Sequence, residues 1–134
     1  MRFNKNIFLS TVIALASLPI IANATTLVTQ NHSAKPSTVK VNSVCVGLLP
    51  APFKVITPAG GVSTVTDDSV NKLCGGKQRH KCVADIHMTE NCSDAAVAKA
   101  YFDLDKFSIE NIAMTAGVPY AITWSGTVVT INPA

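Results

Sequence analysis

The sequence predicts a single all-β domain, a small sandwich-like fold of about seven or eight short antiparallel strands that disulfides hold together. Short runs rich in Val, Ile, Thr and aromatic residues recur along the chain, and clusters of Gly, Pro, Asn and Asp separate them at a spacing typical of all-β domains. Several runs alternate between apolar and polar residues, which is the period of a half-buried strand. The four cysteines are an even number, which suits disulfides in an exported protein.

The N-terminal 24 residues predict a signal peptide. Arg2 and Lys5 charge its start, an apolar run extends from residue 7 to residue 21, and Ala22-Asn23-Ala24 supplies the small residues of a cleavage site. We therefore expect a mature protein that is periplasmic or secreted.

The next segment, residues 25–38, is polar and mixed in composition and contains Pro36. Such a segment buries too little apolar surface to offset its ordering entropy, so we expect it to be flexible. The β domain is then expected to cover residues 39–134.

Within this domain, the strand-like runs are residues 39–42, 44–49, 53–57, 62–66, 83–88, 94–107, 120–124 and 127–131. Pro58-Ala59-Gly60-Gly61 suits a turn with positive φ, and residues 67–73 suit a single helical turn. Ser125-Gly126 suits the tight turn of a terminal hairpin.

Residues 94–107 fit two structures. As a strand, the segment places Ala98, Ala100 and Phe102 inward; as a helix, it has Asp94 as an N-cap and several alanines that favour helix formation. We favour the strand, because strand-like runs on both sides offer it hydrogen-bonding partners.

The charge of the mature chain is close to neutral. Removal of residues 1–24 takes away two of the 11 basic residues and none of the eight acidic ones, which leaves a net charge of +1. Such a chain has no long-range field that would attract nucleic acid. No mature apolar run approaches the roughly 18 residues of a membrane helix, so we also expect no membrane span.

The four cysteines allow three pairings. Cys82 and Cys92 flank the strand predicted over residues 83–88, so they lie roughly 20 Å apart, too far for a bridge. Cys74 and Cys82 bracket a loop with two glycines. The sequence therefore favours Cys74 with Cys82 and Cys45 with Cys92.

The best candidate for a binding site is the basic loop, residues 75–81. It places Lys77, Arg79 and Lys81, three of the nine basic residues of the mature chain, around His80. A disulfide between Cys74 and Cys82 would preorganise the loop, which then loses less entropy on binding. Acidic protein surfaces and acidic glycans would fit it, although a solvated loop tip is the plainer interpretation. Nucleic acid is disfavoured, because no aromatic residue is interleaved for base stacking.

A small secreted hydrolase is an alternative, which would use the titratable residues Asp85, His87, Asp103 and Asp105. The chain lacks a Gly-x-Ser-x-Gly nucleophile motif, and a solvated charged strand face explains the two carboxylates at 103 and 105 equally well. We therefore expect no catalytic site.

Zinc-type ligands also occur close together, at His80, Cys82, His87 and Cys92. Their spacing lacks the close Cys-x-x-Cys or His-x-x-x-His pair that identifies zinc sites. We expect no metal and no cofactor.

The run Cys82–Ser93, the run Val97–Leu104 and the Gly-containing terminal hairpin resemble small uncharacterised exported proteins of Gram-negative, host-associated bacteria. The resemblance implies a β-rich secreted domain and supports a strand at residues 94–107. It implies no activity and no site residues.

These features predict an exported, non-enzymatic binding module, such as a secreted effector or secretion-system substrate, that contacts a macromolecule or a surface. Its partner would be a protein or an acidic glycan. A secreted enzyme inhibitor that presents the basic loop is a further alternative. The sequence leaves the oligomeric state open.

Overall fold

The computed structural model of the protein describes residues 26–75 and 81–134. The predicted signal peptide and residues 76–80 of the basic loop lie outside these ranges. The described elements are β1 (Thr26–Asn31), β2 (Thr38–Val41), β3 (Val44–Cys45), a 3-10 helix (Val46–Leu48), β4 (Val62–Thr66), α1 (Asp67–Cys74), β5 (Lys81–His87), β6 (Ala98–Asp103), β7 (Ser108–Met114), β8 (Tyr120–Ser125) and β9 (Val128–Pro133).

The strands form two sheets, which confirms the predicted sandwich-like β fold. The four-stranded sheet has the order β4-β1-β9-β8, and the five-stranded sheet has the order β3-β2-β5-β6-β7. One detail differs from the prediction of antiparallel strands, because β1 and β9 pair in parallel. Residues 32–127 connect these two strands, so no short turn forces them to be antiparallel.

The hydrophobic core lies between the sheets. Ile86 and Phe102 of the larger sheet and Val129 and Ile131 of the smaller sheet belong to one buried cluster, together with Val70 of α1. Apolar residues alternate with polar ones along these strands because one face of each sheet is buried. The sheets approach each other at β7 and the β8–β9 hairpin, where the backbone N–H of residue 109 in β7 donates to the carbonyl of residue 126 in the hairpin loop at 3.1 Å.

The structure corrects the expectation of a flexible segment at residues 25–38. Residues 26–31 form β1, which lies between β4 and β9 and pairs with both. Asn31 at its end is 1% exposed. Its Nδ2 donates to the Lys35 carbonyl at 2.7 Å, and its Oδ1 accepts from the Ser33 hydroxyl at 2.7 Å. Polar residues suit this strand because their polar groups find partners inside the fold.

Residues 44–57 also differ from the prediction of two strands. Only Val44–Cys45 form a strand, the chain then turns through a 3-10 helix, and Thr57 makes one isolated bridge with Ser37. Gly47 lies so close to the connection between β5 and β6 that a Cβ would overlap the carbonyl oxygen of Glu90. The apolar residues at 44–49 therefore belong mostly to a packed turn. A short apolar sequence does not distinguish such a turn from a buried strand.

The ambiguous segment 94–107 contains a strand and no helix. Residues 98–103 form β6, which pairs with β5 on one side and β7 on the other. Two pairing partners outweigh the helix propensity of the alanines, because strand preference depends on neighbouring strands.

The helical turn predicted at residues 67–73 is the eight-residue helix α1. The Thr66 hydroxyl caps it by accepting from the backbone N–H of Ser69 at 3.3 Å, and Gly75 ends it with a φ of 70°. Within the described residues, no helix has the length and apolar character needed to cross a membrane.

The predicted terminal hairpin is formed by β8 and β9. Its loop is Gly126-Thr127, one residue later than expected, and Gly126 has a φ of 61°. This positive φ is what a primed hairpin turn requires at that position.

Candidate functional site

The base of the basic loop is described, although Lys77, Arg79 and His80 lie outside the described residues. Cys74 at the end of α1 is bonded to Cys82 of β5, and their Cα atoms lie 5.6 Å apart. Both cysteines are 4% exposed. The two ends of the loop are therefore fixed at one place, where the helix meets the larger sheet.

Two polar contacts reinforce this base. The side-chain amide of Asn42 donates to the carbonyls of Leu73 and Cys74, each at 3.2 Å. It thereby provides hydrogen-bond donors for carbonyl groups at the C-terminal end of α1. Lys81, the last residue of the basic loop, places its Nζ 3.1 Å from Glu110 Oε1. The sequence did not predict that Lys81 has an acidic partner on β7.

The second disulfide joins Cys45 of β3 to Cys92 in the connection between β5 and β6, with Cα atoms 6.0 Å apart. The two disulfides are the pairs that the sequence favours. All four cysteines are bonded. In the described part of the chain, no three potential metal ligands form a cluster.

The structure brings His87 together with Asp94, a pair that the sequence did not single out. The His87 side chain is 5% exposed. Its Nδ1 lies 3.0 Å from Asp94 Oδ1 and 3.1 Å from the Asp94 carbonyl oxygen. Both neighbours are acceptors, so Nδ1 carries a proton and donates it.

Asp94 also organises the backbone that follows β5. Its Oδ1 accepts from the Thr89 hydroxyl at 2.9 Å, and its Oδ2 accepts from the Met88 N–H at 3.1 Å. Burial opposes ionisation of this carboxyl, but the hydrogen bonds from Thr89, His87 and Met88 outweigh burial and lower the pKa of Asp94. The carboxylate is therefore ionised at neutral pH and holds the turn closed.

A His–Asp pair is also part of the Ser–His–Asp arrangement of hydrolases. Here Ser37 donates its hydroxyl to the backbone carbonyl of His87 at 2.9 Å and not to the ring. The arrangement therefore stabilises the turn and activates no nucleophile at Ser37. The sequence offered one signal for this pair, a cluster of polar residues between two strand-like runs with Asp94 at its end. From that signal, Asp94 was predicted only as the N-cap of the helical alternative.

The structure does not bring together the four residues of the hydrolase alternative. Asp85 forms an ion pair with Lys99 at 3.1 Å across β5 and β6. Asp103 is the register partner of Lys81, at the opposite end of β5 from His87 and so roughly 20 Å away. These positions do not form one catalytic group.

Asp103 and Asp105 also do not share a strand face, because β6 ends at Asp103. The Asp103 Oδ1 accepts from the backbone N–H groups of Lys106 and Asp105, at 3.1 and 2.8 Å. These hydrogen bonds, that from Lys106 first, lower the pKa of Asp103. The carboxylate therefore closes the turn between β6 and β7.

Comparison with known proteins places the chain in a family. The family model described as "T2SS substrate NttC" matches residues 1–132 of the 134. The structure is similar to the crystal structure of the Legionella pneumophila type II secretion system substrate NttC, with a TM-score of 0.64 and 20% sequence identity over 82% of this chain and 98% of that chain.

At 20% identity, the structural match shows a shared fold only. No curated protein matches the chain. The family match, however, covers almost every residue. It confirms the resemblance to small exported proteins that the sequence showed. The chain therefore belongs to the NttC family of type II secretion system substrates.

Proposed function

We propose that this protein is a secreted, non-enzymatic binding module that contacts an anionic macromolecule through its basic loop. The family supports export, and the composition of residues 1–24 supports a cleaved signal peptide on the way to the periplasm. Residues 75–81 supply the basic side chains that such contact needs.

The observation that carries the proposal is the Cys74–Cys82 disulfide. It holds the two ends of the basic loop 5.6 Å apart between buried positions of α1 and β5. A loop with fixed ends has fewer conformations to lose when it binds, so more of its interaction energy is available as affinity.

The ion pair at the base of the loop indicates which basic side chains are available to contact a binding partner. Lys81 is paired with Glu110, which leaves Lys77 and Arg79 as the principal contacts. A guanidinium group recognises carboxylate or sulfate oxygens in a bidentate manner. The partner is therefore an acidic glycan or an acidic protein surface.

The test is the double variant Lys77→Ala/Arg79→Ala in the mature, oxidised protein. Binding to arrays of acidic and neutral glycans and to acidic host-surface proteins should show affinity for an anionic partner in the wild type. The double variant should bind at least about tenfold more weakly, a loss of about 1.4 kcal/mol, with an unchanged melting temperature.

The matched control is Lys35→Ala/Lys54→Ala, which removes the same charge from two exposed positions outside the loop. It should bind like the wild type. Equal weakening in both double variants would assign binding to net charge, and full binding by the loop variant would reject the loop as the contact.

A further inference from the structure

A cavity of about 120 Å³ lies between the two sheets, apart from the basic loop. Leu27, Val129 and Ile131 line it from the four-stranded sheet, and Ala84, Ala100 and Phe102 line it from the five-stranded sheet. An apolar cavity of this size is uncommon in a small domain, because protein interiors are close-packed.

Two small side chains line the cavity on the larger sheet, Ala84 and Ala100. Ala84 and Ala100 are register partners on the central strands β5 and β6. Each also has a further strand on its other side, at Val41 and Ile112. Both alanines are nevertheless only half-buried, so the surface that they leave uncovered faces the space between the sheets.

Four of the five hydroxyl side chains along the cavity make hydrogen bonds elsewhere, and one of them, Ser37, donates to the His87 carbonyl at 2.9 Å. Thr57 and Ser63 share a hydrogen bond of 2.6 Å, and the Thr38 hydroxyl donates to the Val55 carbonyl at 2.7 Å. A buried water requires two to four polar partners, whereas most of the side chains that line this cavity are apolar. The cavity therefore suits an apolar occupant.

We propose that this cavity is a binding site for a small apolar ligand, of the size of one aromatic ring or a short alkyl group. An engineered apolar cavity of about 150 Å³ in another protein stays dry and binds benzene or xenon, so the present volume is of the right order. This site is independent of the proposed contact through the basic loop.

The ligand enters beside the edge strand β4. Val55, Val65 and Leu73 line this side of the cavity and are half-buried, whereas Ile131 and Phe102 on the opposite walls are 1% and 7% exposed. The other margin of the sandwich is closed where β7 meets β8. The apolar surface between β4 and α1 is therefore the route from solvent to the cavity.

Benzene and xenon are the probes for this site in the mature, oxidised protein. Methyl NMR should show saturable shifts at Val129 and Ile131, and the melting temperature should rise with probe concentration, because a ligand that binds only the folded state stabilises it. Absence of saturable shifts at these methyl groups in the wild type would overturn the proposal.

Variants that fill the cavity test its location. Ala100→Leu should weaken probe binding at least about tenfold. Ala84→Val fills the same space with a smaller side chain and serves if Ala100→Leu does not fold. The control Ala113→Leu adds the same side chain at an exposed position of β7 and should bind like the wild type. Wild-type binding by the cavity-filling variants would also overturn the proposal.

Discussion

The Asp94 carboxylate organises the turn that follows β5. It accepts hydrogen bonds from His87, Thr89 and the Met88 N–H, all within seven residues along the chain. The turn that it holds also carries Cys92 of the longer disulfide. One ionised group thus positions both the end of β5 and a covalent link to β3.

The pKa of Asp94 makes this contribution dependent on pH. Above about pH 4, the ordinary pKa of an unfolded Asp, the carboxylate contributes its full stability. Because its pKa is lowered in the folded state, this stability is lost as the pH falls through the folded value. The free energy of unfolding should decline on acidification below about pH 4, less steeply in Asp94→Asn than in the wild type.

At neutral pH, Asp94→Asn should unfold with a free energy about 1–3 kcal/mol lower than the wild type, because it loses hydrogen bonds to a charged acceptor. Urea denaturation across the acidic to neutral range measures both effects. Asp68→Asn is the control, since its ion pair with Lys72 is exposed and should contribute little. Identical pH profiles for Asp94→Asn and the wild type would contradict the assignment.

At the scale of the elements, β1 is the strand on which the four-stranded sheet depends. In the described part of the chain, β4 pairs with no other strand, and β9 pairs with β1 in parallel. Without β1, the β4 strand would lose every ladder hydrogen bond and β9 would become an edge. An isolated strand is not stable in water, so the sheet would come apart.

A chain that begins at Ser37 should therefore fail to fold cooperatively, whereas a chain that begins at Thr25 should melt in one transition. Far-UV circular dichroism during heating measures the difference. If the shorter chain melted cooperatively within a few degrees of the longer one, β1 would be dispensable and the flexible-segment prediction would be restored for residues 25–36.

At the scale of the whole molecule, the two disulfides constrain different lengths of chain. Cys45–Cys92 has a sequence separation of 47, and Cys74–Cys82 has a separation of 8. On the chain-entropy account, the first contributes about 4 kcal/mol and the second about 2.6 kcal/mol. Together they are comparable with the net stability of about 5–15 kcal/mol that is typical of a folded domain.

Full reduction should consequently lower the melting temperature strongly. Two double variants separate the two contributions, Cys45→Ala/Cys92→Ala and Cys74→Ala/Cys82→Ala. The free energy of unfolding should fall by about 1–2 kcal/mol more in the first than in the second. Guanidinium denaturation measures the free energies. Unchanged melting after full reduction would show that the core alone stabilises the fold.

Several elements could be predicted from residues that are neighbours in the sequence. A short run of Val and Thr after a glycine turn predicted the strand at residues 62–66, alternating polarity predicted the strand at 83–88, and Ser125-Gly126 marked the terminal hairpin to within one residue. Strand geometry argued against Cys82–Cys92 and led to the pairing that the structure shows. The strands and the hairpin were predictable because each depends on residues that are close together in the chain, and the Cys45–Cys92 pair followed once the local argument had paired Cys74 with Cys82.

For the candidate site, the sequence identified the two cysteines that hold the basic loop but not the acidic partner of Lys81. Glu110 lies 29 residues further along the chain and meets Lys81 only because β6 pairs with both β5 and β7, so that the Lys81 side chain reaches β7 across β6. The contact between His87 and Asp94 was missed for a related reason, since it requires the exact path of the turn between them.

The sequence by itself determined an exported class of chain, a β-rich fold and a preferred pairing of its cysteines. Tertiary structure alone decided that residues 26–31 form an interior strand, that β1 and β9 run in parallel, and that Ala84 and Ala100 border a cavity. The physical reason is that polarity patterns and turn residues act over a few positions, whereas strand partners and facing sheets come from distant parts of the chain.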